Sequence, residues 1–567
     1  MHLTKRNKMN QIRKTKLIFL HIALISAVLC GKTYAQDKKE EPKPEAPKSV
    51  LAEEIEVVRP YKPVLANASK IRRNPDLNES PTYKPTLTYS ILNKKLELNT
   101  DIRQLQYQQL ETPKISELNN SLIKAGLGSF KTGIGEFYLN NGRDQAMQTG
   151  FFAKHFAQSG AIKRQEFSEQ HLGAFLKSVG KNTSFSTQAN YKGFGTYFYG
   201  ADPLALPSVL SDPEKQRLSV IQLIADLGST YDSNPEGINY GLKLDANLFK
   251  NSTSAKENSI VVSGMATKKW RAFNFGLRSS LDLTTVNLES NTVKNNLTRL
   301  NPFANYQANG LQVNIGLNLV QESGILKRTN LFPVVHAEFT IAPDYAVFFA
   351  GLNGDVQKTS LNEFSFENPY LGRSISIQNS VVKNHFFAGV KGNAGEVLGY
   401  KASVWMKRIQ DLPLLVNSSS RLNRFEISYA QGISQLSGFD AQVDIKATDK
   451  LNISSKLQAI NYKLENETKA WFKPSLRLES QLRAQVSQKI NLSSSLVYQG
   501  ETFGKGLNAE AISLDSFLDI SVGAEYQVTK KWSAFAQANN LLNKAYQQYL
   551  YYPRLGLNFF GGLQYSF

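Results

Sequence analysis

Histidine and carboxylate side chains are the groups of this sequence that could do chemistry, as zinc ligands or as general acids and bases. The histidines after residue 36 are His155, His171, His336 and His385. They are widely spaced and lack the paired spacing of a zinc site, so we predict no metal centre and no cofactor. A GxSxG elbow, a phosphate-binding P-loop and a calcium loop are all absent from the sequence. These observations predict no catalytic residue and a protein that is not an enzyme.

Polar and charged residues recur at every second position over most of the chain. In residues 476–486 the apolar members are Leu476, Leu478, Leu482, Ala484 and Val486, and the polar ones are Arg477, Glu479, Gln481, Arg483 and Gln485. This period is typical of a β-strand with one apolar and one polar face. If such strands close into a barrel, a carboxylate pair could meet across its interior, as in a barrel-embedded hydrolase. Alternation places charges there whether or not they react, so it does not favour that reading.

An export signal precedes these strands. Basic residues from Lys5 to Lys16 come before an apolar run from Leu17 to Leu29, and small or polar residues follow to Gln36. This order predicts a cleaved signal peptide over residues 1–36. The only cysteine, Cys30, lies within it, and the bulky Leu29 before it fits a lipoprotein cleavage site poorly.

The rest of the chain divides by composition. Residues 37–50 are charged and proline-rich, which is typical of a disordered linker. Residues 51–120 have few strong helix or strand patterns and form a predicted periplasmic or lumen segment. From Ser121 to Phe567 the alternation is continuous. Alternating strands also build soluble sandwiches, but about twenty of them behind an export signal favour a membrane β-barrel.

Short polar turns predict the number of strands. A recurring signature puts two or three polar residues between apolar positions, at Ala266–Trp270, Ala447–Leu451, Val486–Ile490 and Val528–Trp532. Similar signals lie at Asn141–Gly142, Gly180–Asn182, Asn234–Gly237, Asn309–Gly310, Ala342–Asp344 and Asn393–Glu396. Such turns join successive up-and-down pairs of strands at one end of a barrel. They predict an all-β fold, a large antiparallel transmembrane β-barrel of about 22 strands over residues 121–567, with an irregular N-terminal periplasmic segment. About 22 strands is the size of plugged outer-membrane transporters.

Residues 532–567 resemble the end of the barrel of TonB-dependent outer-membrane receptors. The shared pattern is an asparagine-leucine-asparagine type turn (Asn540, Leu541, Asn543), an aromatic stretch, a proline and a final strand with glycine and phenylalanine. The resemblance implies that this strand closes the barrel, with its apolar row facing lipid. That row is Leu557, Phe559, Leu563, Tyr565 and Phe567. The implied location is the outer membrane of a Gram-negative bacterium.

The run LAEEIEVVRP, residues 51–60, resembles the TonB box of that family, which adds as a strand to an energising protein. The matching residues are Glu53, Glu54, Ile55, Glu56, Val57 and Val58. An ordinary β-prone patch is the alternative interpretation. Family members also carry a folded plug domain, which is not recognisable here. We therefore expect residues 50–120, inward-folded outer loops or a partner to fill the lumen.

Aromatic residues at strand ends predict contacts with the membrane interface. Trp270 and Trp532 each follow two lysines, and Tyr549, Tyr551 and Tyr552 precede the last strand. We interpret all five as interface girdle residues. For the tyrosines, a sugar-stacking surface is the alternative.

Two functions follow from these patterns. The first is transport or reception of a solute, with Glu53–Val58 contacting a TonB-like energising protein. The alternative is a non-transporting scaffold or assembly-complex component of the outer membrane, with an envelope protein or lipoprotein as partner. Outer-membrane lipid would surround the barrel in both cases. The basic residues are spread out and form no patch with interleaved aromatics, so no nucleic-acid partner is predicted.

Overall fold

A computed structural model describes residues 120–142, 146–200, 213–230, 237–289 and 291–567. The predicted signal peptide (1–36), linker (37–50) and TonB-box-like run (Glu53–Val58) lie outside the described residues. So does the predicted periplasmic or lumen segment 51–120, apart from its last residue.

The described chain consists of β-strands and one short helix. The strands are β1 (Ser121–Gly128), β2 (Thr132–Asn140), β3 (Met147–Gln158), β4 (Phe167–Val179), β5 (Thr183–Tyr197), β6 (Lys215–Ser229), β7 (Ile238–Asn251), β8 (Lys256–Trp270), β9 (Phe273–Asn287), β10 (Thr292–Ala308), β11 (Leu311–Gly324), β12 (Arg328–Ala342), β13 (Ala346–Gln357), β14 (Ser380–Ala394), β15 (Leu398–Asn417), β16 (Phe425–Thr448), β17 (Leu451–Lys463), β18 (Leu476–Gln485), β19 (Ile490–Gln499), β20 (Thr502–Lys505), β21 (Ala511–Leu514), β22 (Phe517–Gln527), β23 (Trp532–Asn539), β24 (Gln547–Tyr549), β25 (Tyr552–Pro553) and β26 (Asn558–Ser566). The helix is α1 (Leu361–Glu367), between β13 and β14. It has 7 residues, and no helix of the described ranges is long and apolar enough to cross a bilayer.

Backbone pairing closes the sheet into a barrel of 22 antiparallel strands. Neighbouring strands pair in sequence order, except that β19 pairs with β22 and β23 with β26. The hairpins β20–β21 and β24–β25 form separate two-stranded sheets. The seam between β26 and β1 completes the ring, with partners from Leu122 and Ser566 to Gly128 and Phe560. The predicted all-β barrel of about 22 strands is confirmed.

The seam between the first and last strands needs glycine on both sides. Gly126 and Gly562 lie directly opposite each other in this pair. A Cβ atom at position 562 would overlap the backbone carbonyl oxygen of Ala125. The strands can approach to hydrogen-bonding distance here because neither residue has a side chain.

Ten short connections lie at one end of the barrel. They join the second barrel strand to the third, the fourth to the fifth, and so on around the ring. Nine of the ten predicted turn signals fall at these connections, for example Ala447–Leu451 between β16 and β17. The tenth, Ala266–Trp270, is wrong by a few residues, because β8 continues to Trp270 and pairs it with Phe273 across Arg271 and Ala272. Beyond the apolar band both faces of a strand meet water, so polar residues such as Lys268 can extend the strand.

The two faces of the wall have different surroundings. The outward face carries exposed apolar side chains, such as Leu242 and Leu248 of β7, which are 52% and 53% exposed. The inward face carries polar side chains along most of its height. At the end opposite the short turns, its residues instead pack against long connections. The largest hydrophobic cluster of the described residues lies there.

Candidate functional site

The β13–β14 connection, residues 358–379, folds inward over one end of the lumen. Its helix α1 begins after Ser360, whose side-chain oxygen accepts a hydrogen bond from the backbone N–H of Glu363 at 3.3 Å. The β23–β26 connection, residues 540–557, packs against it. Tyr370 of the first connection stacks on Tyr552 of the second, with ring centroids 3.5 Å apart. We call these two connections the cap.

The cap buries apolar side chains against the inward face of the wall. Leu361 and Leu371 of the cap are 0% and 1% exposed. They share a cluster with Leu218, Phe249 and Val286, at the ends of β6, β7 and β9. Burying one leucine fully is worth about 2 kcal/mol. Hydrophobic burial therefore helps to hold the cap over the lumen.

The start of the cap is anchored by a carboxylate. Glu257 of β8 is 3% exposed. Its two carboxylate oxygens accept hydrogen bonds from the Ser360 hydroxyl and from the Leu361 N–H, both at 2.6 Å. Two residues before Ser360, the Lys358 ammonium donates a hydrogen bond to the Asp282 carboxylate of β9 at 2.7 Å. Both contacts join strand side chains to the cap, so they form a polar latch between wall and cap.

The end of the cap is anchored by a second buried network. Asn379 and Asn295 exchange two side-chain hydrogen bonds, at 2.8 and 2.7 Å. Asn379 also donates to Glu322 at 3.1 Å, and Arg328 pairs with the same carboxylate at 2.8 Å. The Thr359 N–H donates to the Asn379 side-chain oxygen at 3.2 Å, which ties the two ends of the β13–β14 connection together.

Tyrosine hydroxyls of the cap also donate hydrogen bonds to backbone carbonyl oxygens. Tyr549 donates to the Glu367 carbonyl oxygen and Tyr552 to the Asn423 carbonyl oxygen, both at 2.6 Å. Burial raises the pKa of Tyr370 well above its ordinary value, and burial likewise raises the pKa of Tyr549. Both hydroxyls are protonated at neutral pH, and that of Tyr549 acts as a donor.

Two cavities lie between the cap and the wall. The first, of about 410 Å³, is lined by aromatic rings including Phe194 and Tyr199, and by the guanidinium of Arg554. The second, of about 300 Å³, is lined by Tyr462 and Trp471. Both include Glu367, Gln548 and Tyr549 in their walls. Flat apolar groups could stack in these cavities while the polar side chains supply hydrogen bonds.

Below the cap, the lumen wall is polar. A further cavity of about 730 Å³ runs along β4 to β13 and is lined by several charged residues. Arg299 pairs with Asp355 at 3.1 Å. Arg278 lies over the Phe303 ring, 3.9 Å from its centroid. This surface can hydrogen-bond water or a polar solute along the interior of the barrel.

Comparison with known proteins identifies the fold. No family model and no curated protein matches the chain. Among solved structures, the FrpB iron transporter from Neisseria meningitidis aligns with a TM-score of 0.62 at 10% identity, covering 80% of this chain and 82% of that one. The ferric-catecholate import receptor Fiu of E. coli K12 aligns at 0.61 and 9%, covering 79% and 82%. The pyoverdine receptor FpvA of Pseudomonas aeruginosa PAO1 aligns at 0.60 and 12%, covering 80% and 79%.

The barrel has the fold of TonB-dependent outer-membrane receptors. The resemblance inferred from residues 532–567 is thereby confirmed at the level of the fold. This is a fold of non-enzymatic transporters in bacterial outer membranes.

The predicted closing strand corresponds to β26, the last strand of the barrel. β26 pairs with β1 on one side and with β23 on the other. Phe559, Leu563 and Phe567 are exposed on the outward face, as is Leu557 just before the strand. Tyr565, also of the predicted row, stacks on Phe567 with ring centroids 5.7 Å apart.

The predicted girdle divides into two groups. Trp270 and Trp532 are 59% and 46% exposed, at the end of the barrel with short turns. Tyr549 and Tyr552 are 6% and 2% exposed within the cap cluster, so the girdle interpretation is wrong for them. They lie in a connection that folds inward, where rings pack on each other and not on lipid. Tyr551 between them is half-buried, in a left-handed turn with φ of 72°.

The four histidines lie on four different strands, β3, β4, β12 and β14. His171 packs edge-on against Phe152, His336 is 3.7 Å from Glu338, and His385 is 3.2 Å from the Asn353 amide oxygen. His155 lies 3.4 Å from Gln170. Within the described ranges, no three His, Cys, Asp or Glu side chains are grouped as a metal site.

The latch residues were missed at the sequence level. Glu257 and Ser360 are 103 positions apart, and no periodic pattern links them. One signal was available in the sequence. Ser360 and Glu363, in the β13–β14 connection, have the spacing of a helix N-terminal capping box.

Proposed function

We propose that this protein is an outer-membrane receptor for a solute, in which the cap is a gate at the outer end of the lumen. The observation that carries the proposal is the nature of the contacts that hold the cap. The wall is a continuous ladder of backbone hydrogen bonds, whereas the cap is attached to it by side chains such as Glu257 and Lys358 and by an isolated backbone bridge between Leu371 and Phe425. These contacts are far fewer than those of the ladder, so they can break while the wall stays folded, and the cap can move on its own.

The surface of the cap supports a binding role as well. The cavities between cap and wall combine stacking surfaces with hydrogen-bonding groups, including Arg554 and Gln548. A solute that stacks on these rings would compete with the packing that keeps the cap closed. Binding could then shift the cap towards an open state, provided that the solute binds the open state more tightly.

The receptor role also requires an energy source and a lower seal. We propose that Glu53–Val58 adds as a strand to a TonB-like protein on the inner side, as the family resemblance implies. We further propose that residues 61–120 lie in or under the lumen. The barrel would lie in the outer membrane of a Gram-negative bacterium, with its short turns on the periplasmic side.

Single-channel conductance in a planar bilayer tests the gate. The full chain is compared with a latch variant, Glu257→Ala with Lys358→Ala, and with a version lacking residues 37–119. The control variant is Arg373→Ala, because Arg373 and Glu289 form an ion pair in which both side chains are 56% exposed.

We expect large openings only when the latch variant is combined with the truncation, because the cap and residues 37–119 would each close the lumen. The control combined with the truncation should stay closed. A closed combined variant would contradict the gate. In cells, deleting Glu53–Val58 should abolish energy-dependent uptake while the barrel remains folded. Unchanged uptake, with stoichiometric envelope proteins in detergent extracts, would instead favour the scaffold.

A further inference from the structure

A cluster of basic side chains lies on the outward face of the wall, at the end of the barrel that carries the cap. It comprises Arg217 of β6, Lys250 of β7, Lys256 of β8 and Lys294 of β10, which we call the rim cluster. All four residues are exposed. These strands are neighbours in the barrel, with only β9 between β8 and β10.

Strand alternation shows that the rim cluster faces away from the lumen. Lys250 shares a face with Leu248, and Lys256 shares a face with Ile260; these two apolar residues are 53% and 48% exposed. The intervening Phe249 is 2% exposed and belongs to the cap cluster on the inside. Arg217 and Lys294 are placed in the same way, on the faces of Ile221 and Leu300.

The rim cluster follows directly after the apolar band. On β7 the outward residues below Lys250 are Leu248, Ala246, Leu244 and Leu242. On β8, Asn258 separates Lys256 from Ile260, Val262 and Gly264. Outward residues thus change from apolar to basic within one or two positions. That level is where lipid headgroups meet a membrane barrel.

Two of these cations lie close enough to repel each other in the protein without a bound anion. Lys250 and Lys256 are direct cross-strand partners on the same face. Like charges directly opposite each other destabilise a strand pair. None of the four rim residues has an ion pair with a carboxylate among the residues that the structure describes. An external anion between the strands would remove this repulsion.

The apparent exceptions do not neutralise the rim cluster. Glu257 lies between Lys256 and Asn258, but it points inward to Ser360. Glu289, in the β9–β10 connection, pairs with Arg373 of the cap. The hydroxyls and amides on the same outward face, such as Asn258 and Thr285, are neutral. They can donate hydrogen bonds to phosphate oxygens without adding negative charge.

We propose that the rim cluster binds the phosphate groups of a lipid in the outer leaflet of the membrane around the barrel. The bound group would lie across β6 to β10, with its acyl chains along the apolar band below. The cluster faces lipid and not the lumen, so this lipid site is separate from the gate and independent of the solute. A lipid bound at the rim cluster would also fix how deeply this side of the barrel lies in the membrane.

The test compares the full-length protein with two variants of equal charge change. The rim variant is Arg217→Gln, Lys250→Gln, Lys256→Gln and Lys294→Gln. The control variant is Lys268→Gln, Lys450→Gln, Lys489→Gln and Lys530→Gln, which removes four exposed lysines at the opposite end of the barrel. Each purified protein is titrated in non-ionic detergent with lipid A carrying two phosphates. Thermal unfolding gives the apparent affinity, and native mass spectrometry counts the lipids bound.

We expect lipid A to raise the unfolding temperature of the unmodified and control proteins. Each cation near an anionic lipid surface contributes about fivefold to affinity, so the rim variant, which lacks four, should bind on the order of 600-fold more weakly. Dephosphorylated lipid A should not raise the unfolding temperature of any of the three proteins. Equal affinities of the rim and control variants would overturn the proposal. So would equal stabilisation by inorganic phosphate, which would assign the site to free anions.

Discussion

Replacing Glu257 with alanine tests whether the latch holds the cap closed. Glu257→Ala removes the acceptor for the Ser360 hydroxyl and the Leu361 N–H, which lie 2.6 Å from the carboxylate oxygens. Ser360 is 9% exposed and Leu361 is 0% exposed, so water cannot easily replace the lost acceptor. Each buried donor left without a partner costs about 1–3 kcal/mol.

The net effect is smaller than the sum of these two costs. Removing Glu257 also removes a carboxylate from a buried site, which relieves its desolvation. We therefore expect the closed cap to lose about 2–3 kcal/mol relative to an open one. At about 1.4 kcal/mol per tenfold change, the open fraction should rise roughly 30- to 100-fold.

Cysteine labelling measures that fraction. A thiol placed by Leu361→Cys is buried in the closed cap, and the only natural cysteine, Cys30, lies in the predicted signal peptide. When opening and reclosing are faster than modification, the labelling rate is proportional to the open fraction. The same label in a Glu289→Ala background is the matched control, because that glutamate forms an exposed ion pair worth less than about 1 kcal/mol.

We expect labelling to be 30- to 100-fold faster with Glu257→Ala, as worked out above from the two hydrogen bonds. The control should change it less than about fivefold. Heat-modifiable migration on a gel should remain normal in both, because the wall is unaffected. Equal labelling rates in the two backgrounds would refute the latch.

Three further predictions follow from the seam, from the cap and from an ion pair between the β5–β6 and β15–β16 connections. Gly562→Val should prevent closure of the barrel, because a Cβ atom there overlaps the Ala125 carbonyl oxygen. The control is Gly241→Val, since no atom lies within 4 Å of a Cβ added at that position. This control should still give a barrel with heat-modifiable migration on a gel. Tyr552→Phe should cost about 1 kcal/mol, and Tyr552→Ala about 3–5 kcal/mol, in thermal unfolding, with the exposed Tyr345→Phe as a near-neutral control. A hydrogen bond from Arg424 lowers the pKa of Glu214 below its ordinary value of 4.5, so this contact stabilises the protein above that pH and is lost as the pH falls through the lowered value. The acid-induced loss of stability should therefore be shallower in Glu214→Gln, and an unchanged pH profile would contradict the pairing.

The barrel could be predicted from the sequence because its signals are local. Alternation such as that of residues 476–486 and turns such as Ala447–Leu451 are contained within a few positions. Each reports one strand or one connection, so counting them gave the strand number. The misplaced Ala266–Trp270 turn marks the limit of this reasoning, since polar residues outside the apolar band extend a strand as readily as they end it.

The cap could not be predicted because its contacts join distant positions. Glu257 meets Ser360, and Tyr552 stacks on Tyr370, across long separations in the sequence. The tyrosines before the last strand have the composition of an interface girdle, and composition alone does not distinguish a ring on lipid from a ring on another ring. Only the inward path of their connection decides between the two.

The seam between β1 and β26 has a consequence for biogenesis. Ser129 and Phe559 make hydrogen bonds across a separation of 430 residues, so the ring closes through its most distant contacts. Until β26 arrives, the sheet has two free edges, and free edges are templates for pairing with other chains. Long-range pairing of this kind is also slow. A growing barrel of this chain therefore needs its edges shielded until the last strand is delivered, and any delay at that step exposes it to aggregation.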